Sequence, residues 1–138
     1  MTTPRISHAV IVGCLLAAAA CDEGNPVAPT VQLNQQFTLA PGQSAAVEGT
    51  PLRIEFLRVS SDSRCPADAL CIQRGDAVVR LRASASTTAD YELHTSDDDR
   101  ALVIHAGYRI GLAQLQPYPF SSRAIDPDAY RATLAVSR

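Results

Sequence analysis

Side chains able to do chemistry are few in this chain, so their spacing can be read directly. Cys65 and Cys71 stand six residues apart around Pro66-Ala-Asp-Ala-Leu70. A redox pair uses the tighter Cys-x-x-Cys spacing, so this pair points to a structural disulfide closing a small loop. Chain entropy values such a loop at roughly 2 kcal/mol, enough to pin a turn. Asp62, Arg64, Asp68 and Arg74 surround the cysteines. Turn chemistry accounts for several of these types: Asp62 can accept backbone N–H groups and pair with Arg64, and Pro66 fixes one φ. Held rigid, the same four charges would make a contact loop that loses little entropy on binding.

Two histidines, His94 and His105, fall near the ends of neighbouring apolar stretches, and would face each other if those stretches formed a hairpin. Two His are short of the three or four protein ligands that zinc takes, and the simpler expectation is exposed strand-end side chains. Asp97-Asp98-Asp99 has no EF-hand spacing and reads as a solvated hairpin tip. Ser60, Ser61 and Ser63 carry no Gly-x-Ser-x-Gly setting. No catalytic residue, metal ligand or cofactor is therefore assigned.

The stretch Asp62-Ser-Arg-Cys-Pro66, with Cys71 and Gly75 after it, resembles a widespread group of small, uncharacterised bacterial envelope lipoproteins. A second stretch, Gly107-Tyr108-Arg-Ile-Gly-Leu-Ala-Gln-Leu115-Gln-Pro117-Tyr118-Pro119, is similar to the same group. That group usually has Trp where this chain has Gln73. The resemblance spans most of residues 37–138. It implies a compact β-rich domain in a membrane or periplasmic setting, and no reaction.

The N-terminus agrees with that setting. Arg5 precedes the apolar run Ala9–Ala20, which ends abruptly at Cys21-Asp-Glu-Gly-Asn-Pro26. This order is that of a secretory signal peptide, and Ala18-Ala-Ala-Cys21 resembles a bacterial lipobox, with Ala18 where Leu is preferred, whose cysteine becomes the lipidated first residue. Cys14 is the rival site, but cleavage there would leave Leu15–Ala20 exposed. Free secretion is a further alternative, and would leave Cys21 an odd thiol. A retained span would need ~20 apolar residues, more than the run supplies. With residues 1–20 removed and Cys21 lipidated, Cys65 and Cys71 remain as one pair, suited to an oxidising compartment.

Composition narrows the partners. All twelve basic residues are Arg. Without Arg5, eleven Arg stand against fourteen Asp plus Glu, a mature charge near −3. That disfavours nucleic acid, which selects a basic face. There is no Trp to build an indole sugar platform.

The elements that must position these groups read as strands. Residues 21–34, with Pro26 and Pro29, have the composition of a flexible tether. Beyond it, period-two alternation runs through Gln36–Leu39, Ser44–Val47, Leu52–Phe56, Ala77–Ala83, Tyr91–His94, Leu102–His105, Tyr108–Leu112 and Tyr130–Val136. Gly and Pro punctuate it, and no stretch holds a helical period beyond one turn near Ala67–Gln73. Seven to eight short strands over residues 35–138 predict an all-β domain, an antiparallel β-sandwich, with Phe37, Phe56, Tyr91, Tyr108 and Tyr130 in its core. Tyr118-Pro119-Phe120 reads as an exposed turn, with Tyr118-Pro119 the candidate cis bond. The function expected is non-enzymatic: a binding or structural module, attached to a bacterial envelope membrane by lipid and facing the periplasm or cell surface, with an envelope protein as possible partner. The alternatives are a secreted hydrolase inhibitor wielding the disulfide loop, and a small metal-binding protein or hydrolase.

Overall fold

The computed structural model describes residues 28–138; the expected signal peptide, Cys21 and most of the expected tether lie outside the described residues. Among the described residues nine strands form two sheets: β1 (Thr30–Val31), β2 (Gln36–Leu39), β3 (Ser44–Val47), β4 (Arg53–Asp62), β5 (Ala77–Ser84), β6 (Thr88–His94), β7 (Leu102–His105), β8 (Tyr108–Gln116) and β9 (Arg131–Ser137). One sheet has the order β1-β3-β4-β5-β6, the other β2-β9-β8-β7. All pairings are antiparallel except β1 with β3. The all-β, sandwich-like fold is therefore as the alternation predicts.

Alternation works because successive side chains on a strand point to opposite faces. Ala77, Val79, Leu81 and Ala83 are buried, while Val78, Arg80 and Arg82 face away. The apolar faces of the two sheets meet in one core, with Ile54, Phe56, Leu81 and Leu93 from one and Leu39, Ile110, Leu134 and Val136 from the other. Phe56, Tyr108 and Tyr130 are buried; Phe37 and Tyr91 pack at its margin.

β4 and β8 outrun their sequence patterns for the same reason. Strict alternation from Leu52, Ile54 and Phe56 would bury Arg58. A bulge between Phe56 and Arg58 instead turns Arg58 outward opposite Arg80 and Val59 inward opposite Val79. A second bulge before Ser61 returns Asp62 to the inner face, opposite Ala77. In β8 a bulge between Leu112 and Gln114 sends Leu115, not Gln114, into the core.

Four expectations are corrected. The tether is shorter than residues 21–34, because Thr30 and Val31 already pair with Ala46 and Val47. Tyr91–His94 and Leu102–His105 are not a hairpin: β6 and β7 belong to different sheets, so Asp97–Asp99 lies in the crossing between them. The loop at Ala67–Gln73 contains a turn, with Ala69 N–H donating to Pro66 O at 3.1 Å, and no helix. The cis peptide is Gln116–Pro117, not Tyr118–Pro119; the chain reverses one proline earlier, where Leu115 O and Pro117 O both face Arg64.

Truncating a fully buried aromatic ring loses both transfer energy and packing. Phe56→Ala should cost about 3–5 kcal/mol in a urea melt, and a loss under about 1 kcal/mol would contradict this core assignment.

Candidate functional site

The two bulges of β4 deliver Asp62 to the inner face at the mouth of the loop 63–76, and that loop holds the densest set of specific contacts. Arg64 is buried. Its Nε and Nη2 donate to the two oxygens of Asp62 at 2.9 and 2.6 Å, and its backbone N–H also reaches Oδ1 at 3.2 Å. Its Nη1 donates to Leu115 O at 2.8 Å, and Nη2 also to Pro117 O at 2.9 Å. The Tyr130 hydroxyl donates to Asp62 Oδ2 at 2.9 Å, and the Tyr118 ring lies 5.2 Å from the Arg64 guanidinium carbon. One guanidinium thus ties the disulfide loop to the long connection between β8 and β9. A planar, multi-donor fork does this; a lysine ammonium does not.

The titrations follow from the contacts. Burial pushes the Asp62 carboxyl up, but the Arg64 and Tyr130 hydrogen bonds outweigh it and its pKa is lowered. Burial, then the hydrogen bond to Asp62 and its charge, raises the Tyr130 phenol to about 12.

Further bonds join the same two loops. Ala67 N–H donates to Pro119 O at 2.9 Å, and Asp68 accepts from Ser121 N–H at 2.8 Å and Ser121 O–H at 2.6 Å. Within the first loop the Cys65–Cys71 disulfide is formed. Gly75 is required there: its φ is +67°, and a Cβ would fall 1.8 Å from Ser63 O. Residues 62–75 and 107–119, far apart in sequence, therefore meet each other, and Arg64 is where they meet.

A third loop, 95–101, is tied down by Asp76, which the sequence reading did not single out. Asp76 Oδ1 accepts from the backbone N–H of Thr95 at 2.9 Å and of Ser96 at 3.1 Å, and from Thr95 O–H at 3.2 Å. His94 Nδ1 meets Oδ2 at 2.5 Å. Burial opposes ionisation of Asp76, but the His94 and backbone hydrogen bonds prevail and lower its pKa to about 2. The sequence signal was modest, an Asp directly after an obligate Gly at a strand start.

Both histidines correct their expected exposure: each is buried. His94 Nε2 faces the Arg100 guanidinium. Arginine offers no acceptor, so Nε2 must accept and Nδ1 carries the proton given to Asp76. An Asp–His pair of this kind orients a general base in hydrolases, but here the basic nitrogen is occupied by Arg100. His105, the last residue of β7, packs against the other end of β6, donating from Nε2 to Thr87 O at 3.1 Å and accepting the Tyr91 hydroxyl on Nδ1 at 3.0 Å. Six strand steps, roughly 20 Å, part the two ends of β6, so the two histidines share no site. Among the described residues no three His, Cys, Asp or Glu side chains come together as a metal set.

Of the four expected contact residues, Arg74 and Asp68 are exposed, Asp62 is half-buried and Arg64 is buried. Arg64 is corrected from contact residue to internal tie, because all its donor nitrogens already serve Asp62 and two carbonyls. Between its exposed charges the loop also presents apolar side chains: Leu70 and Ile72, flanking Cys71, are fully exposed. Tyr118 and Phe120 on the adjoining loop are half-exposed. Four of the five large apolar side chains exposed among the described residues thus gather at this end. Their presence in short polar-looking loops gave alternation nothing to act on. Two clefts open beside them: a polar one of about 300 Å³ walled by Arg64, Arg74, His94, Asp98 and Gln114, and an apolar one of about 520 Å³ walled by Pro117, Tyr118, Phe120 and Ile125.

Comparison with protein-family models, with curated proteins and with solved structures finds no match to this chain.

Two outcomes test the ties. Arg64→Lys keeps the charge but loses the fork, and should destabilise the domain by about 3 kcal/mol, since a buried partner is left half-satisfied; a loss under about 0.5 kcal/mol would remove Arg64 from its place. The Asp76 carboxyl is lowered from 3.8 to about 2, so its stabilisation is complete above pH 4 and fades as pH falls toward 2. The stability difference between wild type and Asp76→Asn should shrink by about 1 kcal/mol from pH 5 to pH 2, allowing for solvent screening. A difference independent of pH would contradict the assignment.

Proposed function

We propose that the protein is a lipid-anchored module of a bacterial envelope, fixed to its membrane through Cys21, which binds a partner with the disulfide-bearing end of its β-sandwich. The carrying observation is the concentration of exposed apolar side chains, Leu70, Ile72, Tyr118 and Phe120, on loops made rigid by Arg64, Asp68 and Cys65–Cys71. Exposed apolar patches on an otherwise polar surface mark contact sites. Loops already fixed by hydrogen bonds and a disulfide pay little further ordering entropy when they dock.

The anchoring half rests on the apolar run that stops at Cys21 and on a disulfide suited to an oxidising compartment. The order of elements agrees with it. Pro29 O accepts the Ala46 N–H, and Ala46 pairs with Arg53 at the start of β4. The disulfide loop leaves the far end of β4 after Asp62. The tether thus joins the sheet roughly 30 Å along β4 from the proposed contact surface. Eight residues, 22–29, separate Cys21 from β1 and reach at most about 29 Å. A domain on such a tether holds its loop end away from the lipid. The resemblance of 62–75 and 107–119 to envelope lipoproteins points the same way.

Fractionation tests the anchor. Wild-type protein should sediment with membranes and enter the detergent phase of a Triton X-114 partition, while Cys21→Ser should move to the soluble fraction. A Cys21→Ser chain still wholly membrane-bound would sink the lipid-anchor reading.

A further inference from the structure

The exposed apolar pair and the apolar cleft lie side by side, and their surroundings complement each other. Leu70 and Ile72 project from the disulfide loop, with Asp68 on one side in sequence and Arg74 on the other. The cleft of about 520 Å³ has Pro117, Tyr118, Phe120, Ala124, Ile125 and Ala129 in its walls, and its two charged wall residues are Arg123 and Asp126. Its volume is within the 300–1,000 Å³ range that admits small organic molecules, and so suits a pair of aliphatic side chains. Projection and cleft each carry one charge of each sign. Neither Arg74 nor Arg123 has an ion-pair partner among the described residues. Asp68 accepts the Ser121 hydroxyl, and Asp126 accepts the Asp128 N–H.

A uniformly charged ligand meets both an attraction and a repulsion at this rim. A segment of mixed sign with aliphatic residues between its charges avoids that repulsion, and the chain's own loop segment Asp68-Ala-Leu-Cys-Ile-Gln-Arg74 has this character. The projection cannot fill its own cleft, since Leu70 and Ile72 are fully exposed in the single chain. A second copy can. The two features are fastened together by the 2.6 Å Asp68–Ser121 bond, so one two-fold axis between them would seat each copy's projection in the other's cleft. An isologous contact of this kind closes on itself and does not propagate.

We propose that the partner of the disulfide end is a second copy of this chain, in a two-fold dimer where Leu70 and Ile72 of each protomer occupy the apolar cleft of the other. The proposal rests on the reading of that end as the contact surface, and it is independent of the lipid. The contact centres on two aliphatic side chains from each protomer, so dissociation is expected on the order of micromolar or weaker, where concentration on a membrane favours the dimer.

Sedimentation equilibrium of the mature chain carrying Cys21→Ser, from 1 to 500 μM, tests it. The chain should pass from monomer to dimer with concentration and stop at dimer. Leu70→Ser with Ile72→Ser, which empties the projection, and Ala124→Glu, which obstructs the cleft at an exposed position, should each weaken the dimer at least tenfold while leaving the urea midpoint unchanged. Mixing the two variants should restore a heterodimer, because one intact projection then meets one intact cleft. A chain that stays monomeric throughout, a dimer indifferent to either variant, or a mixture that fails to pair would overturn the proposal. If a monomeric chain still bound a purified envelope protein, and lost it with Leu70→Ser and Ile72→Ser, the contact-surface reading would stand while the dimer fell.

Discussion

The disulfide end of this domain depends on one buried guanidinium. Arg64 joins three partners that are distant in sequence or polarity: the carboxylate of Asp62, the carbonyl of Leu115 and the carbonyl of Pro117. Each of those oxygens, left alone in a protein interior, would cost more than its hydrogen bond returns. Supplied together from one planar group, they turn a desolvation penalty into a fastening. The Tyr130 hydroxyl adds a fourth bond to Asp62, and Tyr118 covers the cation from outside. The apolar core ends below this point, and above it the molecule is held by polar geometry.

That division explains how a small domain can show apolar side chains to solvent without folding them inward. Leu70 and Ile72 sit on either side of Cys71, on a loop whose base is pinched at Gly75 and whose flank is bound to Ser121 through Asp68. The neighbouring crossing between the sheets is fixed separately by Asp76. Three loops therefore form one surface at one end, while the N-terminal segment at Pro29–Val31 joins the sheet near the other. The Asp76–His94–Arg100 chain looks like catalytic machinery in its first two members. The third member occupies the nitrogen that a base would need, which makes it a structural link.

Much of the fold could be read from alternation. β5 and β9 keep strict period two because they are central strands with one face on the core, and their residues match the pattern nearly throughout. Alternation ends early where a bulge changes the phase: after Phe56, where Arg58 breaks the pattern, and after Leu112, before Leu115 resumes it. Both missed extensions lead directly into the site. β1 was absorbed into the tether because two residues carry no period, and its pairing is a tertiary fact. The histidines were misplaced because two adjacent strands suggest a hairpin, and only the packing of two sheets decides whether the chain turns back or crosses over. The Asp62–Arg64 pair was legible as turn chemistry. Its burial was not, since the carbonyls that make burial tolerable lie fifty residues away.

Amide hydrogen exchange in an Arg64→Ala variant, taken under conditions where the core still folds, tests the central claim most directly. If one guanidinium fastens both loops, the Ala67 and Ser121 amides, which bond to Pro119 O and Asp68, should lose protection together while Val79 in the core keeps its own. Loss confined to the disulfide loop, with Ser121 and its neighbours still protected, would show that the two loops are held independently and would contradict the account.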